Sequence, residues 1–123
     1  MNVLLVAVGG AIGAAARYLI GGWIQGWMGS SFPWGTLVIN VSGSLIIGLV
    51  LGLVDRGALS SQARLLLAVG VLGGYTTFST FSYEGLQMIQ SGNYGSLLFY
   101  EVTHLGLGLL AANLGLIMAR AIV

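Results

Sequence analysis

Between Gly70 and Glu84 the chain reads Gly-Val-Leu-Gly-Gly-Tyr-Thr-Thr-Phe-Ser-Thr-Phe-Ser-Tyr-Glu. Three glycines fall within five positions, and five hydroxyl side chains follow between residues 76 and 82. Glycine lets the backbone bend into conformations other residues resist, and hydroxyls can donate to an anion. A helix broken at Gly73-Gly74 frees backbone carbonyls, which are hard ligands suited to hard cations. The glycines alone also fit close packing through Gly70-x-x-x-Gly74. The hydroxyl run directly behind them favours a functional break. Phe78 and Phe81 lie three apart, so both rings project from one helix face. Rings so spaced usually pack a core or face lipid, but here Thr77, Ser79, Thr80 and Ser82 share the same two turns. An aromatic ring is positive at its edge, so it can meet an anion with no formal charge nearby.

Other polar groups stand at helical spacing elsewhere. Thr36, Asn40 and Ser44 follow i, i+4, i+8 and share one helix face, with Gly43 alongside. Thr36 and Ser44 read as interhelical hydrogen bonding. A side-chain amide is harder to bury for packing alone, so Asn40 fits both pore lining and structural glue. Glu101 and His104 lie at i, i+3. Two ligands are too few for a metal, so they read as a salt-bridge-like pair near a helix start. Arg17 fits both an interfacial snorkel and a vestibule charge that attracts anions.

The elements that must position these groups follow from composition. Charged residues are 6% of the 123-residue chain, where a soluble domain carries about 25%. Hydrophobic residues are 57% and mean hydropathy is +0.98. Four arginines and three acids cannot build a hydrated shell, which excludes a soluble enzyme, a nucleic-acid binder and a disordered linker. A net charge of +1 implies no polyanionic partner. Without cysteine there is no disulfide, thiolate metal site or thiol catalysis. The 21 glycines lack a collagen period and read as close helix packing in lipid.

The uncharged stretch 18–54 is too long for one span of about 20 residues, and Gly26, Gly29, Ser30, Ser31 and Pro33 break it. The spacing predicts an all-α membrane protein with four transmembrane helices over about 3–27, 33–54, 61–90 and 94–121, forming one transmembrane unit over 1–123. Pro33 opens the second helix, and Ser60 or Ser61 caps the third. The third helix is expected to break near its middle, just after residue 72. No room remains for an extramembrane domain. Asp55 and Arg56 mark a wet loop, Arg64 and Arg120 snorkel toward the interface, and Trp23, Trp27 and Trp34 fit an aromatic belt. Ala14-Ala15-Ala16 faintly mimics a signal-peptidase site but lacks a basic region before it, so the segment reads as retained. Asn40-Val41-Ser42 lies inside a span, out of reach of glycosylation. Bases favour one side only faintly, so the chain is expected to insert either way round.

The string Gly73-Gly74-Tyr75-Thr76-Thr77-Phe78-Ser79-Thr80-Phe81-Ser82, with Gly35-Thr36-Leu37-Val38-Ile39-Asn40 upstream, resembles the Fluc/CrcB family of fluoride channels. Length, four-helix plan, Arg17 and Pro33-Trp34-Gly35 also fit, so the resemblance spans essentially the whole chain. It implies an antiparallel dual-topology homodimer in the bacterial cytoplasmic (inner) membrane, passively exporting fluoride to relieve fluoride toxicity through two pores at the subunit interface. It implies that Phe78 and Phe81 meet fluoride through ring edges, with Asn40 as a donor beside them. Thr77, Ser79 and Thr80 would form a polar track, Tyr100 and Glu84 would line the pore, and Arg17 would stand near its wide end. Backbone carbonyls of Gly73 and Thr76 from both subunits would hold a central structural sodium ion. Family members often carry small hydroxyls in helix four below the tyrosine. Here Thr103 is the only one between Glu101 and Gly108, with His104 as the substitute donor.

Two other readings share the four-helix plan. A small dual-topology, proton-coupled multidrug transporter needs a buried carboxylate, and the first helix holds no acid. A purely structural bundle would tolerate Leu or Ala throughout the hydroxyl run. An enzyme lacks any nucleophile–base–acid set.

Overall fold

The computed structural model describes the whole chain, Met1–Val123. It is all-helical, with four helices long and apolar enough to cross a membrane, and the third of these is bent. α1 runs over Asn2–Met28 and ends at Gly29, whose φ of 60° and ψ of 22° close a left-handed cap with its N–H on the Gln25 carbonyl. Glycine takes that conformation without a Cβ penalty. α2 runs over Trp34–Asp55, directly after Pro33.

The third span, Ser61–Gln90, is built in pieces. α3 (Ser61–Arg64) starts at Ser60, whose hydroxyl accepts the Ala63 N–H at 3.1 Å. A π-helical segment over Leu65–Leu72 continues it, then one short turn, α4 (Gly73–Tyr75). Thr76 (φ −81°, ψ 157°) and Thr77 (φ −147°, ψ 121°) are extended, and α5 (Phe78–Gln90) resumes beyond them. α6 (Tyr94–Ile122) is the fourth span.

The break therefore lies at Thr76-Thr77 and not at Gly73-Gly74, where the glycines point. Gly73 is helical (φ −62°, ψ −37°). Gly70 and Gly74 serve packing, whereas Gly73 faces open space. A Cβ on Gly70 would stand 2.9 Å from Gly9 Cα, and one on Gly74 would stand 2.5 Å from the Gly10 carbonyl oxygen. Both distances are below any real Cβ contact, so small residues on both helices let α1 lie directly against the third span. The threonines suit the opening because β-branched residues favour extended backbone and a Thr hydroxyl can cap the next helix.

A second glycine seam joins α2 to α6. A Cβ on Gly115 would meet Leu49 N at 2.6 Å, and one on Gly52 would meet Ala119 Cβ at 2.6 Å. The buried side chains form two small cores. Ile39, Val50, Ala68, Leu72 and Tyr75 make one, and Leu37, Met88 and Tyr100 the other. Only 18 of 123 residues are buried, and the exposed surface is largely apolar, as a lipid-facing or partner-facing surface must be. The chain is a multi-pass membrane protein.

Candidate functional site

A helix interrupted in a bilayer leaves backbone groups that lipid cannot satisfy. Asn40 of α2 supplies the replacement. Its Oδ1 accepts the Thr77 N–H at 2.8 Å, and its Nδ2 donates to the Thr77 carbonyl at 3.0 Å. A continued helix would have given that Thr77 N–H to the Gly73 carbonyl. Thr77 then caps α5. Its hydroxyl accepts the Thr80 N–H at 3.3 Å and donates to Thr80 Oγ1 at 3.0 Å.

On the other side of the opening, Thr76 Oγ1 and the Thr76 N–H both bond the Leu72 carbonyl, at 2.9 and 3.0 Å. The Gly74 carbonyl takes the Nε–H of Arg17, from α1, at 3.1 Å. No backbone N–H reaches the Thr76 carbonyl. The break thus sets a helix C-terminus, with partial negative charge on its carbonyls, against the N-terminus of α5, with partial positive charge on its N–H groups.

Phe78 and Phe81 flank the opening. Their ring centroids are 5.9 Å apart with planes tilted by 53°. Phe78 is 78% exposed, whereas Phe81 is half-buried against Tyr100 and His104. Tyr100 is fully buried, and its hydroxyl donates to Glu84 Oε1 at 2.9 Å.

Two open grooves meet at Thr77. One, about 640 Å³, is lined by Asn40, Thr76, Thr77, Phe78, Phe81 and His104, together with Glu101. The other, about 500 Å³, is lined by Arg17, Gln25, Thr36, Thr77, Thr80 and Glu84 among others. The structure thus brings Asn40, Thr76, Thr77, Phe78 and Phe81 around one groove and Arg17, Thr77, Thr80 and Glu84 around the next. Gly73, Ser79 and Tyr100 line neither groove of the single chain.

His104 does not pair with Glu101. Its Nε2 lies 3.1 Å from Asn40 Nδ2 and its Nδ1 lies 3.1 Å from the Tyr100 carbonyl. No group of three or more metal-ligating side chains forms. Ser44 bonds the Asn40 carbonyl of its own helix at 2.7 Å, not a neighbouring helix. Gln25 is a residue that the sequence reading does not single out. Its amide bridges the Ser30 and Phe32 carbonyls and the Gly35 N–H at 2.9–3.0 Å, fixing the α1–α2 loop beside the second groove. The signal for it is an uncharged amide inside an otherwise apolar span.

A family model described as CrcB-like protein, Camphor Resistance (CrcB), matches residues 4–116. A Thermus thermophilus protein named fluoride-specific ion channel FluC is 55% identical over 120 residues, covering 98% of this chain and 94% of its own. The protein of that name from another strain of Thermus thermophilus is 53% identical, covering 98% and 96%. One from Acidobacterium capsulatum, also so named, is 47% identical over 124 residues, covering 100% and 99%.

Proposed function

The chain belongs to the CrcB family, and from that premise we propose that it is a passive, fluoride-selective channel that exports fluoride across the bacterial cytoplasmic membrane. It is not an enzyme; its relatives are named as ion channels. One observation of this chain carries the reading. A mid-span break, stitched by Asn40, opens between two grooves that carry polar side chains and is flanked by two phenylalanine rings.

The physical logic is substitution of water. Fluoride is small and strongly hydrated, so a path across the bilayer must replace its hydration shell with fixed donors. The hydroxyl of Thr80, oriented by the hydrogen bond it accepts from Thr77, the amide of Asn40, the N-terminus of α5 and the edges of Phe78 and Phe81 are such donors. Ser79, exposed beside them, extends the set, and Tyr100 acts through the Glu84 carboxylate that it holds. Arg17 faces the second groove and raises the local anion concentration there.

Both grooves are open along one side. An ion in an open groove would face acyl chains, where its desolvation has no compensation. A second copy, inserted antiparallel, supplies the missing wall twice and so gives two pores per homodimer. The faint charge bias allows that dual topology. The carbonyl set at the break suits a structural sodium ion. Thr76 offers a carbonyl that no backbone N–H reaches, and Gly73 one deprived of its Thr77 donor. Such a cation would neutralise the carbonyl cluster and tie two copies together.

Efflux from liposomes, comparing fluoride with chloride, tests the proposal. Rapid fluoride release without chloride release supports it; equal release of both, or of neither, overturns it.

A further inference from the structure

The chain's sole histidine sits against the residue that stitches the break, and the hydrogen-bond network fixes where its proton lies. The Thr77 N–H can only donate, so the Asn40 atom 2.8 Å away is the carbonyl oxygen. The other Asn40 atom is therefore the NH2 group, which can only donate. One of its hydrogens goes to the Thr77 carbonyl at 3.0 Å and the other faces His104 Nε2 at 3.1 Å. Nε2 must then be a bare acceptor. The ring proton is left on Nδ1, where the Tyr100 carbonyl stands 3.1 Å away as an acceptor. The ring is also clamped by Phe81, with centroids 4.2 Å apart, and by Tyr100 edge-on at 4.4 Å.

Both N–H bonds of the Asn40 amide are consequently in use. We propose that His104 is a positioning residue that holds the second Asn40 N–H as a stand-in acceptor and yields it to the permeating anion, and that protonation of His104 forces this release. The inference rests on the channel reading above and assigns a role to a residue of the same groove. An imidazolium carries hydrogen on both nitrogens, so it cannot accept from Asn40. The proton taken up at Nε2 sets two donors face to face, and an anion accepting from both relieves the conflict. Acid thereby converts an amide–imidazole pair into a two-donor anion site.

The groups around the ring permit this. From α2 it meets Asn40, with Ser44 lining the same groove, and neither carries charge. From α5 it meets Phe81, with Glu84 engaged by the Tyr100 hydroxyl. On its own helix Glu101 lines the same groove and is the nearest carboxylate along the chain. Arg17 of α1 is bonded to the Gly74 carbonyl and lines the other groove.

Nitrogen-15 NMR of the protein in lipid nanodiscs reads the ring directly, since there is one histidine to assign. The expected neutral state carries its proton on Nδ1, and acidification moves the Asn40 side-chain amide resonance together with Nε2. A neutral ring protonated on Nε2, or an Asn40 amide indifferent to the titration, overturns the proposal. Fluoride efflux, corrected for leak through protein-free vesicles, should rise several-fold over the same acidification that charges the ring in the NMR titration. His104→Gln, which keeps an acceptor but has no proton equilibrium, should flatten that slope; a slope unchanged in the variant overturns the role. Absence of fluoride flux at every pH overturns the channel reading instead, and the NMR result still decides the histidine.

Discussion

Asn40 and Thr77, 37 positions apart in sequence, exchange two hydrogen bonds, the side-chain amide of one pairing with both backbone groups of the other at 2.8 and 3.0 Å. One side chain thus does what a neighbouring strand does for extended backbone. It satisfies an N–H and a C=O that have left their helix in a medium where water cannot take their place.

Asn40→Leu should therefore cost more than its loss of polarity. It leaves two backbone groups unpaired, a penalty of about 1–3 kcal/mol for each. Ser44→Ala removes only a bond to the carbonyl of its own helix. Thermal unfolding in detergent and fluoride efflux should both rank Asn40→Leu far below Ser44→Ala. The reverse ranking would place the pathway on another face of α2.

Phe81→Ile keeps apolar bulk against Tyr100 and His104 but removes the positive ring edge. Fluoride efflux should fall at least tenfold, roughly the effect of 1.4 kcal/mol on a barrier, while size-exclusion elution stays unchanged. Undiminished efflux would show that the ring is only packing.

Gly73→Val and Gly74→Val separate packing from carbonyl chemistry. A Cβ on Gly74 would meet Gly10 O at 2.5 Å and Ala14 N at 3.1 Å, whereas the nearest atom to one on Gly73 is 3.9 Å away. Gly74→Val should abolish folded, monodisperse protein. Gly73→Val should fold but lose the dimer, or its dependence on sodium, when elution is compared in sodium and in a bulky organic cation. A Gly73→Val dimer indistinguishable from wild type would show that the open face of Gly73 does not meet the second copy at the cation site.

Arg17→Met retains much of the stem and discards the guanidinium, with its bond to the Gly74 carbonyl. If the charge gathers anions, efflux should fall more at low ionic strength than at high, because salt screens the field of a vestibule charge. An equal fall in both would assign Arg17 to holding Gly74 alone.

Much of the plan is legible in sequence because a bilayer permits so few solutions. A chain with 6% charged residues and apolar stretches divided by Gly29–Pro33, Asp55–Gly57 and Ser91–Asn93 can only be a set of spanning helices. The interruption of the third span is also visible, as glycines followed by hydroxyls. Its position is not. Glycine at 73 and 74 signals both backbone freedom and close approach, and only the placement of α1 shows that Gly74 serves approach while the threonines open the chain.

The site divides along the same line. Residue types set what the groups can do: donors, ring edges, carbonyls and one titratable ring are written into the chain. Which of them meet depends on contacts between spans. Asn40 with Thr77 and with His104, Arg17 with Gly74, and Tyr100 with Glu84 are pairings of residues 16 to 64 positions apart. Periodicity along one helix gives the face a side chain occupies, but the rotation and depth of the helix opposite are fixed by where glycine seams allow two backbones to touch.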